Sequence, residues 1–169
     1  MNEQLMADIL ERIRGRFYGK YRGTVVDIDT GTLRLKANVP SVLGEQSSGW
    51  CMPCVPYAGD QFGLAFLPEI GAGVWIEFEG GDVSYPVWTG CYWRAGEIPS
   101  DLTPTARGIV TKAGLKIILD DNAGTITVSD AHGNSVKLDS SGVTLSRGSS
   151  TVAVGDSSVS VNNGALEVT

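Results

Sequence analysis

Hydrophobic and polar residues alternate along the last third of the chain, in short segments separated by turn residues. Each segment carries two aliphatic residues two positions apart, and successive pairs begin 9, 10, 7, 9, 7 and 7 residues apart. Clusters such as "DDNAG", "DSSG" and "NNG" between them favour turns. Because side chains alternate between the faces of a strand, each segment predicts a strand of about five residues with one apolar side. We call these pairs the couplets: Ile117 with Leu119, Ile126 with Val128, Val136 with Leu138, Val143 with Leu145, Val152 with Val154, Val159 with Val161, and Leu166 with Val168.

The couplets need something to pack against. A five-residue strand is not stable alone, and an isolated hairpin is marginal in water. The couplets contain Val, Ile and Leu and no aromatic residue, so the space that they enclose must be narrow. A single-chain β-helix of hexapeptide type would use about 18 residues per coil. The observed spacings of 7 to 10 residues fit that repeat poorly.

Three chains wound around one axis would bury the couplets. Each chain would contribute one strand to each face in turn, and no lateral edge would stay open. Seven strands stacked at ~4.7 Å predict a prism of roughly 30 Å. A disordered Ser/Gly-rich tail is the alternative, but disorder does not require the couplets. The residues expected at the trimer axis are Ile117, Leu119, Ile126, Val128, Val136, Leu138, Val143, Leu145, Val152, Val154, Val159 and Val161.

The stretch from about residue 18 to residue 93 is also expected to be β. Val74, Ile76 and Phe78 alternate with polar or amphipathic neighbours, which is the pattern of a half-buried strand. Five or so short strands in about 75 residues favour a small barrel, with the OB-fold as the leading candidate and an SH3-like barrel left open. The expected strands are "GTVVDIDT", "TLRLKANVP", "FGLAFLP", "GVWIEFEGGD" and "YPVWTGCYW", the first two joined by a turn at 29–32.

The first 17 residues predict an amphipathic helix. Its apolar residues recur at helical spacing, and polar residues fill the other face. The stripe either covers the core of its own domain or docks on a partner, and the sequence leaves both open. The residues of this stripe are Leu5, Met6, Ile9, Leu10 and Ile13.

A break in composition divides the chain. All thirteen aromatic residues lie between Phe17 and Trp93, and none follows. The stretch "RAGEIPSDLTPTARG", residues 94–108, contains two prolines and is the expected linker. The expected organisation is therefore a helix over 1–17, a barrel over 18–93, a linker over 94–108 and a trimeric needle over 109–169, all-β apart from the helix.

Charge and cysteine content exclude several functions. A net charge of −6 and a pI near 4.7 argue against binding to a phosphate backbone. The sequence has no apolar run of membrane-spanning length and no signal-peptide pattern, so we expect a soluble protein made in the cytoplasm. Cys51, Cys54 and Cys91 with the lone His132 could form a Cys₃His zinc site only on paper. A redox pair expects C-x-x-C at a helix N-terminus, but Pro53 and Pro56 flank Cys54 here and no helical pattern follows. We expect structural thiols, no metal and no cofactor.

Several segments resemble the phage baseplate assembly protein V family. They are "YGKYRGTVVDID", "WCMPCVPYAG", "FLPEIGAGVWIEFEGGDVSYPVWTGCYW" and "GLKIILDDNAGTITVSDAHGNSVKLDSSGVTL", and the resemblance covers about residues 18–145. This family forms the central spike of contractile tails and is related to the valine-glycine repeat spikes of type VI secretion systems. The resemblance implies an OB-fold followed by an intertwined triple-stranded β-helix in a homotrimer.

The resemblance also implies a function and a location. The barrel end of such a spike docks on a baseplate hub, and the needle is driven through the target envelope when the sheath contracts. Some relatives carry a lysozyme domain between barrel and needle, but only about 15 linker residues stand there, too few for a paired-carboxylate site. The expected protein is therefore a non-enzymatic spike of the virion baseplate, assembled in the host cytoplasm.

One structural loop and two contact sites are expected from the resemblance. The segment "WCMPCVPYAG" would be barrel wall and loop around a packed Trp50. The β pattern still runs at "GALEVT", which predicts a separate PAAR-like tip protein bound by Leu166, Val168 and Thr169. The hub would bind the helix stripe and nearby arginines, although a solvated surface explains each single arginine as well. The expected hub residues are Leu5, Ile9, Ile13, Arg12, Arg14 and Arg16, with Lys20 and Arg22 beside them.

Two other functions stay open at this stage. A trimeric tail fibre that binds a receptor would share the β-repeat. An OB-fold protein that binds nucleic acid would need a basic face with stacking aromatics, which Arg34, Lys36, Trp50 and Tyr57 could supply. The acidic balance and the β-repeat do not fit that second alternative.

Overall fold

The computed structural model describes residues 3–169, except for the side chains of Glu3, Gln4, Asp8, Glu11 and Arg12. The chain divides into two units, Met1–Glu97 and Ile98–Thr169. The first unit contains a helix and a small barrel. The second contains a single sheet. The expected all-β fold with an N-terminal helix is confirmed.

The first unit begins with helix α1, Glu3–Arg14. The chain then joins the barrel through Phe17, whose backbone N–H donates to the carbonyl of Gly81 at 2.8 Å. The Phe17 ring meets Tyr21 edge to face, with 6.3 Å between the ring centroids. These contacts fix the end of the connection that follows the helix.

The barrel is built from one five-stranded sheet, whose strands lie in the order Arg34–Asn38 (β2), Tyr21–Asp29 (β1), Gly73–Phe78 (β6), Pro86–Tyr92 (β7) and Met52–Pro53 (β3). Cys51, just before β3, pairs with Leu35 of β2, and its N–H donates to the Leu35 carbonyl at 2.8 Å. This bridge joins the two ends of the sheet and closes the barrel. The elements of this unit are β1 Tyr21–Asp29, β2 Arg34–Asn38, α2 Pro40–Leu43, β3 Met52–Pro53, β4 Ala58–Gly59, β5 Phe62–Gly63, β6 Gly73–Phe78, a 3₁₀ turn Glu79–Gly81 and β7 Pro86–Tyr92.

The core of the first unit lies inside this barrel. The predicted alternation in β6 is confirmed, because Val74, Ile76 and Phe78 are buried and the residues between them are not. Burial of aliphatic and aromatic side chains is the main stabilising term for such a small domain. The buried cluster comprises Val25, Leu35, Ala37, Val39, Cys51, Val74, Ile76, Phe78 and Trp88.

Two expectations for this unit were wrong. The segment "FGLAFLP" is not a barrel strand: only Phe62–Gly63 is extended, and it pairs with Ala58–Gly59 in a small separate hairpin. The packed tryptophan is not Trp50, which is 38% exposed, but Trp88, which is 5% exposed. In the strand-like segment around β3, Cys51 takes the inward position, so Trp50 beside it points outward.

The second unit is one eight-stranded antiparallel sheet in which every strand pairs with the next in sequence. Its first strand begins at Ala106, inside the stretch that we expected to be linker. The couplets account for the other seven strands, as the alternation predicts. The strands are β8 Ala106–Val110, β9 Lys116–Asp120, β10 Thr125–Ser129, β11 Asn134–Asp139, β12 Gly142–Arg147, β13 Ser150–Val154, β14 Val159–Val161 and β15 Leu166–Val168.

Tight turns join these strands, and aspartates stabilise several of them. The Oδ1 atom of Asp120 accepts hydrogen bonds from the N–H groups of Asn122 and Ala123. Asp130 does the same for His132 and Asn134. Such turns return the chain directly to its previous strand. The path therefore differs from the expected winding, in which successive strands lie on different faces of a prism. Here one chain makes one sheet.

Candidate assembly surfaces

The couplets lie on one face of the second unit's sheet. Across the antiparallel pairs, Val128 stands opposite Ile117 and Val136, while Ile126 stands opposite Leu119 and Leu138. The same register continues to the last strand, so the couplets form two parallel ladders. One ladder contains Ile117, Val128, Val136, Leu145, Val152, Val161 and Leu166, and the other contains Leu119, Ile126, Leu138, Val143, Val154, Val159 and Val168.

This apolar face is uncovered in the single chain. Ten couplet residues are exposed, from 36% for Val152 to 60% for Leu166 and Val168, and Val136, Val143, Val159 and Val161 are half-buried. Monomeric soluble proteins rarely expose a contiguous apolar patch of more than a few hundred Å², and larger ones mark interaction sites. Covering the face would stabilise the assembly by on the order of 1 kcal/mol for each half-exposed aliphatic side chain.

The opposite face of the sheet is mostly polar. Thr127, Lys137, Thr144 and Ser160 occupy it, because each lies between two couplet residues in its strand. Lys137 forms an ion pair with Asp139 at 3.0 Å. The sheet therefore has one side suited to water and one side suited to a partner.

Two turn aspartates carry strongly held charges. Hydrogen bonds from the Asn134 side chain and backbone lower the pKa of Asp130 to about 2. Hydrogen bonds from the hydroxyl and the backbone N–H of Ser141 lower the pKa of Asp139 to about 2, and Lys137 contributes to the same shift. The turns at the lateral edges of the sheet therefore stay charged down to strongly acidic pH.

The helix stripe is a second uncovered apolar surface. Leu5, Ile9 and Ile13, with Met6 and Leu10, are all exposed on α1. The hub contact predicted for Arg12 concerns a side chain outside the described part of the chain. Arg14 is exposed near the end of the helix.

The other basic residues of this region are engaged within the first unit. Arg16 forms an ion pair with Asp82 at 3.2 Å, and Lys20 forms one with Glu77 at 2.9 Å. The Arg22 guanidinium lies 5.6 Å from the centroid of the Trp75 ring. These contacts hold the three side chains along the barrel wall.

A third surface, formed by the loop between β3 and β6, was missed by sequence reasoning. Tyr57, Phe62, Leu64 and Phe66 are exposed there and line one side of a cleft of about 470 Å³. Trp88 lines its inner wall, and its indole N–H has no hydrogen-bond partner among the described residues. The signal was the run of apolar residues in "FGLAFLP", which does not alternate and so does not fit a half-buried strand.

The cysteines do not gather into one site. Cys51 is buried, and its Sγ lies 3.3 Å from the Ser48 hydroxyl. Burial raises the pKa of the Cys51 and Cys91 thiols, which makes both less reactive. Cys54 is exposed. Within the described residues, no three His, Cys, Asp or Glu side chains are grouped to hold a metal ion. No helix in that same part of the chain is long and apolar enough to cross a membrane.

A closed barrel joined to a sheet with one uncovered apolar face defines a structural protein that assembles through its β-repeat. Residues 21–93 match the family model described as Type VI secretion system/phage-baseplate injector OB domain. Residues 107–167 match the phage baseplate V C-terminal trimerisation domain. The two matches cover most of the chain, so the chain belongs to the phage baseplate V family and carries its trimerisation domain.

A curated relative supports the same family. The chain is 38% identical over 60 residues to the actin cross-linking toxin VgrG1 of Vibrio cholerae serotype O1. The match covers 36% of this chain and 6% of the relative, so the chain spans only a small part of that protein's length. The family is structural, which favours a non-enzymatic role for the matched region.

Proposed function

We propose that this chain is the non-enzymatic central spike of a contractile phage tail baseplate or a related injection machine. It is a rigid homotrimeric needle that docks on a hub and pierces the target cell envelope. The carrying observation is the uncovered face formed by both couplet ladders. A receptor-binding fibre would share that face, and the match to the phage baseplate trimerisation domain supports the spike over it.

Three sheets with their apolar faces turned inward would enclose a narrow axis. A five-residue strand spans ~17 Å, and the centre of a triangle with sides of that length lies ~5 Å from each side. Aliphatic side chains reach that far, and aromatic ones would be too large. Each chain then supplies one face of the prism. The axis residues are Ile117, Leu119, Ile126, Val128, Val136, Leu138, Val143, Leu145, Val152, Val154, Val159 and Val161.

The hub contact belongs to helix α1 in this proposal. Its exposed stripe of Leu5, Ile9 and Ile13 offers the apolar anchors of a helix that binds in a groove. Arg14 is exposed beside the stripe and could meet an acidic rim. Arg12 stays in the proposal on sequence alone. Arg16 already pairs with Asp82, so its role is to brace the segment after the helix.

The tip contact belongs to β15. Leu166, Val168 and Thr169 are exposed, and β15 is the outer strand of the described sheet. An outer strand offers backbone N–H and C=O groups that a partner can pair with. A PAAR-like tip protein would cover these groups and the end of the apolar axis.

The spike contributes stiffness, and the contracting sheath supplies the work. A closed prism buries the apolar face of every sheet, and the strands of each sheet are joined along the axis by backbone hydrogen bonds, which suits a needle under axial load. We place the protein in the virion baseplate after assembly in the host cytoplasm.

The solution mass of the purified full-length chain tests the proposal. Light scattering is expected to give three times 17.9 kDa. An Ile9→Asp variant should keep that mass but lose affinity for the purified hub protein of the same machine, because a charge replaces the central apolar residue of the stripe. A monomeric wild type would refute the spike. Unchanged hub affinity would refute the helix contact alone.

A further inference from the structure

The turns of the second unit alternate between the two lateral edges of its sheet, because every strand reverses direction. One edge carries the turns after β9, β11 and β13, at residues 120–125, 139–142 and 154–159. The other carries the turns after β8, β10, β12 and β14, at residues 110–116, 129–134, 147–150 and 161–166. Along either edge, turns recur every second strand, or ~9.5 Å.

The first edge, with turns 120–125, 139–142 and 154–159, is acidic. Asp121 follows the end of β9 and pairs with Arg107 of the neighbouring strand. Asp139 and Asp156 lie further along this edge, and Asp139 also pairs with Lys137 of its own strand at 3.0 Å. Asp120 adds a fourth carboxylate, which caps its own turn. We call this the acidic edge.

The second edge, with turns 110–116, 129–134, 147–150 and 161–166, bears more positive charge. Lys112 and Arg147 lie in or beside its turns. Asp130 also lies here, but its carboxylate accepts hydrogen bonds from the Asn134 amide and from backbone N–H groups of its own turn. Arg147 Nη1 donates to Asn134 Oδ1 at 2.7 Å, which leaves other guanidinium N–H groups to face outward. We call this the basic edge.

We infer that the acidic edge of each chain interleaves with the basic edge of the next chain in the trimer. This inference rests on the proposed trimer and names the occupant of each edge as a second copy of this chain. A threefold rotation has no translation along the axis, so equivalent strands of the three copies lie at one height. Along the axis, each turn of the acidic edge then lies one strand, ~4.8 Å, from the nearest turns of the basic edge. The turns of one edge therefore fit into the gaps between the turns of the other.

Charge selects which edges meet. In this arrangement Arg147 of one copy lies between the heights of Asp139 and Asp156 of the next copy, and the interface closes after three identical contacts. An arrangement that brought two acidic edges together would oppose Asp139 and Asp156 with like charges. The edges therefore favour a ring in which every sheet runs in the same direction along the axis over an assembly in which one sheet is inverted.

A charge swap in the full-length chain tests this pairing. Arg147→Glu and Asp156→Lys should each raise the concentration at half-assembly of the trimer about tenfold, because three edge contacts are lost in every trimer. The double variant should recover part of the loss, since opposite charges again meet between positions 147 and 156, while Asp139 still opposes the new charge at position 147. Glu45→Lys changes the charge by as much as Asp156→Lys but lies on an exposed position of the first unit, so it should leave assembly unchanged.

Analytical ultracentrifugation over a dilution series gives these midpoints. The edge pairing would be overturned if the losses of assembly caused by the two single substitutions simply added in the double variant. It would also be overturned if the single variants assembled like the wild type. Either result would leave the wild-type trimer in place, so the proposed function would survive. A wild type that is not trimeric at any concentration would instead refute the proposed function itself.

Discussion

At the scale of single residues, Gly142 shows how tightly the strands of the second unit are joined. It opens β12 with φ of 127°, which side chains rarely adopt, and a Cβ there would overlap the carbonyl oxygen of Val154. Gly142→Ala should therefore destabilise the sheet by about 2 kcal/mol or more. Gly155→Ala is the matched control, because φ is ordinary there and a Cβ meets its neighbours at 3.6 Å or more. Thermal unfolding followed by circular dichroism checks both, and equal stability of the two variants would contradict the prediction.

Asp139 predicts how the sheet responds to acid. Its folded-state pKa of about 2 lies below the unfolded value of about 3.9, so its contribution to stability is complete above pH ~4 and is lost as pH falls toward 2. Asp139→Asn keeps an acceptor oxygen for Ser141 but cannot titrate. The melting temperature of the wild type should fall more steeply between pH 4 and pH 2 than that of the variant. Parallel curves would show that this carboxylate does not carry the effect.

At the scale of elements, β13 offers a test of which face assembles. Val154 lies on the couplet face, and Ala153, its neighbour in the same strand, lies on the other. Val154→Asp would place three carboxylates at a dry axis, where unpaired charges cost several kcal/mol each, so we expect monomers. Ala153→Asp carries the same charge on the water side and should stay trimeric. Light scattering distinguishes the two, and a trimeric Val154→Asp would place the axis elsewhere. Val161→Asp and Ser160→Asp form an equivalent pair in β14.

The elements differ in how far sequence could predict them. The couplet strands were predictable because a period of two assigns each residue to a face whatever the strand packs against. Closure of the barrel was not, since β3 has only two residues and the bridge from Cys51 to Leu35 leaves no periodic pattern. The shortness of β3 also explains why the sequence predicted Trp50 as the packed tryptophan, whereas the structure packs Trp88. In so short a segment, contacts distant in sequence decide which positions point inward.

For a related reason, the sequence could predict neither the path of the β-repeat nor the partner of α1. Alternation fixes the face of each strand but not whether the next strand pairs with it or moves to another chain's sheet. In the structure, the turn hydrogen bonds of Asp120 and Asp130 favour direct return. The stripe of Leu5, Ile9 and Ile13 similarly predicts that a face will be covered, without naming what covers it.

At the scale of the whole molecule, each of the two units is stabilised in a different way. The first has its own closed barrel and a core of buried residues such as Leu35 and Ile76. The second is a single-layer sheet whose apolar side can be buried only by another surface. Its folding is therefore coupled to assembly, whereas the barrel's folding is not.

This difference predicts two unfolding transitions with different dependence on concentration. Mass action stabilises a folded trimer as chain concentration rises, so a tenfold increase should raise the melting temperature of the second unit by about 5 °C. The barrel transition should not move. All four tryptophans lie in the first unit, so their fluorescence follows the barrel alone, while far-ultraviolet circular dichroism follows both units. A fluorescence transition that shifted with concentration as much as the circular dichroism signal would mean that the barrel also depends on its copies. A circular dichroism signal independent of concentration would mean that the sheet is covered within one chain, and the apolar face would need another explanation.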